Sequence, residues 1–550
     1  MVAILVGILV AGFLVRMAAL IYGLPLDVFC DEFVHIVTAF SLLEEMTLRA
    51  FSPLSYVPSL MGVLIAPATA LWGGLLMLTG AVDGIVGFKE YATLNAVWFI
   101  PIGRAISALF GVLFLYILFL ITRRVTDFRV ALVVTAFASL DFWLVHESQL
   151  AHFWMPGVAL IALGFYMLLC LAEGGRVKYY IGAIVSLVLG FWMAYFPIVL
   201  APFLALAHLH VPLPKFSRLL YSGVSLVALL GIIGWLNPLS FLKQFGRAIR
   251  SGLDVIGVDV FSKFQAPADV ATEPIQNALF LLSVVVWDNP LIFALGVCGF
   301  ALLVWRVGWR TFPAQSTLGL FFVYLLAGMF VWSHPDHRYA LPLLLPLYIG
   351  VAYSIQYILE KVQTKSDTLR YWVYACVVLV GLYSAYTTFT YVALLRQKDT
   401  RLEAREWILK NVPTNSAILT DAYYFDVPKS KQAIEYFAQY LPEALRARDR
   451  VAQTLPEGEE TSGYFVVNVE YANRLASMGR LPEFPYVVVG FFDPPKRPTM
   501  PDVFTLVASF YPRDFGQKID DLLVSPNNPL SAVYSVSRLG PHIEIYKKRE

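Results

Sequence analysis

Three short segments of this 550-residue chain concentrate side chains that can move a proton or bind an anion. They run from Cys30 to His35, from His146 to His152 and from Ser333 to Tyr339. Carboxylate and imidazole groups suit general acid–base catalysis, and a guanidinium suits the binding of phosphate or carboxylate. The candidate site residues are Asp31, Glu32, His35, His146, Glu147, His152, His337, Arg338 and Tyr339. Together they indicate a site that removes a proton and handles an anion.

Each segment also has a purely structural interpretation. Asp31 and Glu32 are the acids that a helix dipole favours at a helix N-terminus. The histidines of the second segment can anchor helix ends at a membrane interface, and Arg338 and Tyr339 can anchor at the headgroups. Taken one at a time, these features leave both interpretations open.

The composition shows which scaffold must position these residues. The chain is 58% hydrophobic and 15% charged, with a mean hydropathy of +0.66, whereas a soluble domain carries roughly 25% charged residues. A net charge of +2 excludes a strongly basic nucleic-acid-binding protein, so we expect no nucleic acid partner. The four cysteines are widely spaced and indicate neither a disulfide framework nor a zinc cluster. The composition therefore predicts a polytopic α-helical membrane protein.

The charged residues divide the chain into two parts. Of the 80 Asp, Glu, Lys and Arg residues, 39 lie in the last 154 positions. We therefore predict a transmembrane catalytic domain over residues 1–396 and a soluble α/β domain over 397–550. In the second part, apolar runs such as Tyr464–Val467 and Tyr486–Val489 predict strands, and 431–449 predicts a helix.

About 11 membrane spans are predicted, since a helix needs roughly 20 apolar residues to cross the hydrocarbon core. They are 1–22, 100–122, 130–147, 153–172, 180–194, 197–209, 219–236, 290–305, 316–333, 338–356 and 371–395. Basic residues collect in alternate connections, which the positive-inside rule places in the cytoplasm. The first connection, 23–98, instead carries seven acids against two bases and is predicted to face outward.

Two apolar runs do not fit this alternation. A single crossing by 57–82 or by 274–288 would invert every later connection, so we interpret both as juxtamembrane or re-entrant helices on the outer side. The soluble domain then lies outside, with 1–22 as a retained first span. Arg16 in that span is expected to extend its side chain towards the interface. The segment 237–275, which contains Lys243 and Arg247, is either a mobile loop over the site or an ordinary solvated loop.

The motifs resemble those of the GT-C superfamily of integral-membrane glycosyltransferases, and in particular the protein-O-mannosyltransferase and aminoarabinose-transferase branch. The acidic start of the first outer connection, Asp31-Glu32-Phe33-Val34-His35, carries the likeness most directly. Four further stretches are similar to family segments: Ser52-Pro53-Leu54-Ser55-Tyr56, Gly103 to Gly111, His337-Arg338-Tyr339-Ala340-Leu341-Pro342 and Arg401 to Pro413. Ser52 departs from the pattern, because the family has a proline there.

The resemblance implies an activity and its participants. It implies transfer of a sugar from a polyprenyl-phosphate-linked donor to an acceptor hydroxyl of a protein, lipid or glycan, with inversion at the anomeric carbon. It implies Asp31 as the general base, with Glu32 beside it in the catalytic site. Arg338 is the candidate phosphate clamp. The other substrate-binding candidates are His35, His146, Glu147, His152, His337, Tyr339, Lys243 and Arg247. The predicted location is the plasma (cytoplasmic) membrane, among its lipids, with the active site on the outer face.

A metal ion is not favoured by the sequence. Some relatives hold a divalent metal with an Asp-x-Asp pair in the second outer connection, where this chain has His146, Glu147 and His152 instead. His334 and His337 can be metal ligands, but Pro335 interrupts a regular helical spacing between them. We therefore expect no cofactor.

The sequence alone leaves three other functions open. A transporter or flippase of a lipid-linked saccharide would place ionisable residues at mid-membrane on broken helices, with repeat symmetry. A lipid-linked glycan ligase or polymerase would use related chemistry. A non-catalytic member would use the soluble domain as a binding module.

Overall fold

The structure is a computed structural model that describes most of the chain in two compact units. The described residues are 2–29, 31–46, 60–174, 176–194, 196–210, 231, 274–331, 336–363, 365, 367–422, 425–454, 463–491, 497–512, 533–534 and 536–549. We name the first unit, Met1–Leu20, Val34–Pro67 and Pro101–Phe389, the helical unit. The second unit, Ile21–Phe33, Ala68–Ile100 and Thr390–Glu550, is the sheet unit.

Long apolar helices dominate the first 394 residues. In chain order they are Val2–Arg16 (α1), Glu32–Glu45 (α2), Leu60–Leu78 (α3), Gly84–Leu94 (α4), Ile100–Val125 (α5), Phe128–Ser139 (α6), Phe142–Ser148 (α7), Trp154–Gly174 (α8), Val177–Ala194 (α9), Ala201–His210 (α10), Pro274–Asp288 (α11), Pro290–Leu303 (α12), Phe312–Val331 (α13), Leu341–Gln363 (α14) and Asp367–Leu394 (α15). A 3-10 turn, His337–Ala340, leads directly into α14.

Eight of the described helical stretches are long and apolar enough to cross a membrane, or up to nine if the bent pair α6–α7 counts as one. The eight are Val2–Ala19, Leu60–Leu78, Ala96–Val125, Trp154–Gly174, Val177–Ala194, Pro290–Gly308, His337–Gln363 and Asp367–Leu394. This confirms the predicted class, a polytopic α-helical membrane protein with a C-terminal α/β domain. The count of 11 spans stays a prediction, because the predicted span 219–236 lies outside the described residues except for residue 231.

Helix α3 lies in the run 57–82, which is long enough to span once and is interpreted as a juxtamembrane or re-entrant helix because a crossing would invert the later connections. Its 19 residues have a mean hydropathy of 1.8 and meet the length that a span requires. The other excluded run forms α11, whose apolar stretch Ile275–Trp287 is shorter than a span. The outward placement of these connections stays a prediction.

The predicted span 130–147 is bent into two helices. Helices α6 and α7 meet at an angle of 60° across Leu140 and Asp141. Asp141 begins the new helix, because its carboxylate accepts a hydrogen bond from Leu144 N at 3.0 Å. The bend delivers the last turn of α7, with His146 and Glu147, into the interior of the helical unit.

Arg16 does not reach the interface, contrary to the expectation from its place in the first span. Its side chain is 1% exposed and donates to Ser148 Oγ at 3.2 Å and to the carbonyl of Ser139 at 3.0 Å. Gly111 makes room for it, since a Cβ there would lie 2.7 Å from Arg16 Nε. Arg16 therefore joins α1 to the last residue of α6 and to the last residue of α7, and it supplies a donor to a carbonyl at the end of α6.

The soluble part contains one five-stranded sheet. Its strands are Ala417–Asp421 (β1), Phe465–Asn468 (β2), Tyr486–Phe491 (β3), Phe504–Phe510 (β4) and His542–Lys548 (β5), in the order β2-β1-β3-β5-β4. β1 is parallel to β2 and β3, and β5 is antiparallel to β3 and β4. The helices are Thr400–Asn411 (α16), Lys431–Tyr440 (α17), Ala447–Thr454 (α18) and Val469–Ser477 (α19). The strands predicted at 464–467 and 486–489 are confirmed. The predicted helix over 431–449 is interrupted at Leu441-Pro442.

The predicted domain boundary at residue 397 falls in a short connection. Helix α15 ends at Leu394 and α16 begins at Thr400, capped by the carboxylate of Asp399. The boundary itself stays a prediction.

Candidate active site

Two of the segments singled out in the sequence meet inside the helical unit. The last turn of α7 supplies His146 and Glu147, and the 3-10 turn before α14 supplies His337. Glu147 Oε1 lies 3.8 Å from His146 Nε2 and 4.0 Å from His337 Nε2. All three side chains are buried. We call them the His–Glu–His group.

Aromatic packing and the α6–α7 bend position this group. The Trp143 ring stacks on the His337 ring with centroids 4.3 Å apart, and Phe142 stacks on His146 at 5.8 Å. The Tyr348 hydroxyl donates to Asp141 Oδ2 at 2.7 Å, which ties α14 to the start of α7. The stacked rings and the hydrogen bond at the α6–α7 bend pack α7 against the turn before α14. This packing fixes the orientation of the two imidazole rings.

Arg338 is oriented by a carboxylate. Its Nε donates to Asp336 Oδ2 at 2.8 Å, and its backbone N–H donates to Asp336 Oδ1 at 3.1 Å. Burial alone would raise the pKa of Asp336, but His337, Arg338 and the two hydrogen bonds outweigh it and lower the pKa. Asp336 therefore stays ionised at neutral pH and holds one edge of the guanidinium. The Arg338 side chain keeps 18% of its surface exposed at the beginning of the candidate span His337–Gln363.

A second pair of candidate residues meets in the same unit. The rings of His35 and His152 pack edge to face with centroids 5.2 Å apart, and both side chains are buried. The His152 ring stacks at 6.3 Å on Trp154, which in turn contacts Tyr339 at 4.9 Å. One aromatic layer thus connects the segments that contain His35, His152 and Tyr339.

Asp31 and Glu32 belong to the sheet unit and mark the start of α2. Asp31 is exposed and adopts a left-handed backbone conformation with φ of 69°, and Glu32 is fully buried in the first turn of the helix. The positive φ is uncommon for a residue other than glycine, although aspartate and asparagine adopt it more readily than most. An observed departure of this kind supports a functional hypothesis for Asp31.

A buried ion pair holds the segment that leads to Asp31. Arg401 binds Asp399 with two hydrogen bonds, from Nε to Oδ1 and from NH2 to Oδ2, each 2.8 Å long. Arg401 NH1 also donates to the carbonyl of Val28 at 3.2 Å, and the Tyr22 hydroxyl donates to Asp399 Oδ2 at 3.0 Å. The start of α16 thus fixes the segment 21–33 at two points inside the sheet unit.

The His–Glu–His group has the composition and spacing of a metal site. One ligand atom from each residue lies within 4.8 Å of the others, and Glu147 Oε2 is buried without a hydrogen-bond partner among the described residues. Two imidazoles and one carboxylate are a donor set that suits Zn²⁺. The sequence had offered His334 and His337 as a pair, and His334 lies outside the described residues. The expectation of no metal stays a prediction.

The structure brings some of the predicted site residues together, and others lie outside the described residues. Glu147 and His337 come together across 190 residues of sequence, and so do His35 and His152 across 117. Lys243 and Arg247 lie outside the described residues. Sequence reasoning missed Asp336 as the partner of Arg338, although its place two residues before the arginine was a usable signal. It also missed the Asp399–Arg401 pair, which only its buried long-range contacts reveal.

No protein-family model and no curated protein matches the chain. Among solved structures, it is similar to the apo oligosaccharyltransferase of Archaeoglobus fulgidus, with 13% identity and a TM-score of 0.48, over 88% of this chain and 69% of that chain. It is also similar to ArnT from Cupriavidus metallidurans bound to undecaprenyl phosphate, with 11% identity and a TM-score of 0.45, over 89% of this chain and 92% of that chain. Both TM-scores are below 0.5, and these likenesses show no activity for this chain.

Proposed function

We propose that this protein is a membrane glycosyltransferase that moves a sugar from a polyprenyl-phosphate-linked donor to an acceptor hydroxyl. The observation that carries the proposal is the Arg338 guanidinium, oriented by Asp336 and partly exposed where a candidate span begins. The end of a span lies at the depth of lipid headgroups, so a cation there is placed for a phosphate whose prenyl chain remains in the bilayer. The outer face of the plasma membrane is part of the proposal and rests on the charge asymmetry of the connections.

The reaction requires one base and one cation. The Asp31 carboxylate takes the proton of the acceptor hydroxyl as its oxygen forms a bond to the anomeric carbon. The bond between that carbon and the phosphate oxygen breaks, and polyprenyl phosphate leaves with the bonding electrons. Arg338 stabilises the charge that develops on the phosphate. A single displacement inverts the anomeric configuration.

The remaining candidates bind and orient the substrates in this proposal. Tyr339 and His152 lie in one aromatic layer and offer ring faces and polar edges to a sugar. The His–Glu–His group, whose His337 directly precedes Arg338, offers hydrogen-bonding groups to the donor. His35 and Glu32, on the first turns of α2, orient the acceptor near Asp31. Lys243 and Arg247 stay weaker candidates for the donor phosphate.

Replacing Arg338 tests the clamp. We expect Arg338→Ala to lower kcat by about 10²–10³-fold, because a missing donor to a developing oxyanion costs that much. Arg338→Lys should recover only part of the rate, since an ammonium cannot bind two phosphate oxygens in the geometry of a guanidinium. The matched control is Arg306→Ala, which removes an exposed arginine paired with Glu360 near the other end of α14. Equal rates for Arg338→Ala and Arg306→Ala would contradict the assignment.

Metal removal tests the cofactor prediction. We expect prolonged treatment with EDTA to leave the rate of transfer unchanged, because the proposed base and cation are both side chains. Metal content would be measured on the same sample by plasma mass spectrometry. A loss of activity that Zn²⁺ restores in the wild-type protein, but not in His337→Ala, would contradict the prediction and make the His–Glu–His group a catalytic metal centre.

The function itself is tested by donor consumption. Purified protein in detergent would be incubated with a panel of polyprenyl-phosphate sugars and candidate acceptors, and released polyprenyl phosphate would be measured by mass spectrometry. The proposal predicts release with at least one donor, in step with a glycosylated product. Release of polyprenyl diphosphate from a diphosphate-linked glycan, with no reaction of monophosphate donors, would instead indicate a lipid-linked glycan ligase.

A further inference from the structure

The sheet unit contains a cavity that the proposed reaction does not use. It has a volume of about 530 Å³, within the range of roughly 300–1,000 Å³ that small-molecule sites occupy. The cavity lies at the carboxyl ends of the parallel strands β1 and β2, where Asp421 and Asn468 are the last residues of the two strands. The chain passes from β1 to β2 on one side and then to β3 on the other, so the strand order reverses about β1. Ligands of open α/β sheets bind at such an edge.

Of the described residues that line the cavity, both basic side chains are paired with acids and two carboxylates are unpaired. Among the charged residues that line it, Arg446 binds Asp426 at 2.9 Å, Lys429 binds Asp449 and Glu443 binds Arg474. Asp421 and Glu470 also line the cavity, and neither side chain makes a hydrogen bond or ion pair within the described part of the chain. An anionic ligand is therefore repelled, and a ligand with hydroxyl or ammonium donors is favoured.

The other lining groups favour a neutral polyhydroxyl ligand over a cation. The Asn468 Oδ1 accepts from Tyr471 N at 2.8 Å and the Thr420 hydroxyl accepts from Ala422 N at 3.3 Å, so each side chain keeps a donor for the oxygen of a sugar hydroxyl. The Tyr471 ring, at the beginning of α19, offers a flat apolar surface with a polar tip to the C–H face of a pyranose. An ammonium group would use the carboxylates alone and leave these groups without a role.

We propose that this cavity is a saccharide-binding site, in which Asp421 and Glu470 accept hydrogen bonds from sugar hydroxyls, Asn468 bonds a further hydroxyl and Tyr471 stacks on the ring. The assignment goes beyond the transfer reaction, because it concerns binding in the sheet unit and requires no catalysis. In this proposal the soluble domain binds a neutral glycan.

Binding of defined oligosaccharides tests the proposal. Full-length protein in detergent would be titrated with cellotriose, mannotriose and N,N′,N″-triacetylchitotriose, with saturation-transfer NMR as the readout and inorganic phosphate and trilysine as further probes. We expect at least one trisaccharide to bind, and the D421N/E470Q double variant to weaken its binding at least about tenfold, since hydrogen bonds to charged groups are worth that much. The matched control is Asp502→Asn, an exposed acid of the same unit that does not line the cavity. Thermal unfolding of each variant would verify the fold.

Three results would overturn the proposal: no trisaccharide binds, trilysine alone binds, or D421N/E470Q binds as tightly as the control. Its failure is distinguishable from failure of the transferase assignment. Asp31→Asn should bind trisaccharides like the wild-type protein, and D421N/E470Q should still release polyprenyl phosphate from the donor.

Discussion

Asp31→Asn should reduce sugar transfer by about 10²–10⁴-fold, the contribution that a general base makes to a reaction. The amide has the size and shape of the carboxylate but cannot accept the proton of the acceptor hydroxyl. The measurement is the initial rate of glycosylated product with saturating donor. Because the donor phosphate is bound by other residues in this account, the KM for the donor should change little.

The same substitution should leave the fold intact. Asp31 is exposed and has φ of 69°, a conformation that asparagine tolerates as well as aspartate does. The thermal unfolding midpoint should therefore match that of the wild-type protein. Glu45→Gln is the matched control, since it neutralises an exposed acid at the other end of α2. Substantial transfer by Asp31→Asn would exclude Asp31 as the base.

Arg401→Ala should destabilise the sheet unit by about 3–5 kcal/mol, the cost of removing one partner of a buried ion pair. Asp399 is fully buried and would lose the two 2.8 Å hydrogen bonds from Arg401. The bond to the Val28 carbonyl is lost as well, so the segment that leads to Asp31 loses one of its two attachments. We expect a lower unfolding temperature and slower transfer by the protein that remains folded.

The exposed pair Arg474–Glu443 provides the control for Arg401. Both side chains are nearly half exposed, and such a pair is worth roughly 0–1 kcal/mol. Arg474→Ala should therefore unfold within a few degrees of the wild-type protein and transfer sugar normally. Arg401→Lys should be intermediate, because a lysine keeps the charge but not the bidentate geometry. Equal stability of Arg401→Ala and Arg474→Ala would show that the buried pair does not hold the segment.

Much of the fold follows from local pattern. Apolar length predicted most of the helices that can cross a membrane, and apolar runs next to turns predicted β2 and β3. The 60° bend between α6 and α7 was not predictable from hydropathy, because a single charged residue, Asp141, does not end an otherwise apolar run. The bend depends on a capping carboxylate, Asp141, and on Arg16, which lies more than a hundred residues earlier in the chain.

The candidate site was predictable in its residue types and not in its partners. His146, Glu147 and His337 stood out because polar residues are rare beside long apolar runs. That Glu147 lies between the two histidines depends on how α7 packs against the turn before α14, which no local pattern encodes. The snorkelling expected of Arg16 was wrong for a related reason. Gly111 and the carbonyl of Ser139 give its guanidinium room and an acceptor inside the unit.

Transfer and translocation can be separated in one experiment with proteoliposomes. The donor would carry a radiolabelled sugar on polyprenyl phosphate, and an acceptor would be supplied on the side of the soluble domain. The account predicts equal amounts of free polyprenyl phosphate and labelled acceptor, with neither formed by Asp31→Asn. Appearance of intact labelled donor in the opposite leaflet, without release of polyprenyl phosphate, would contradict it and identify a flippase.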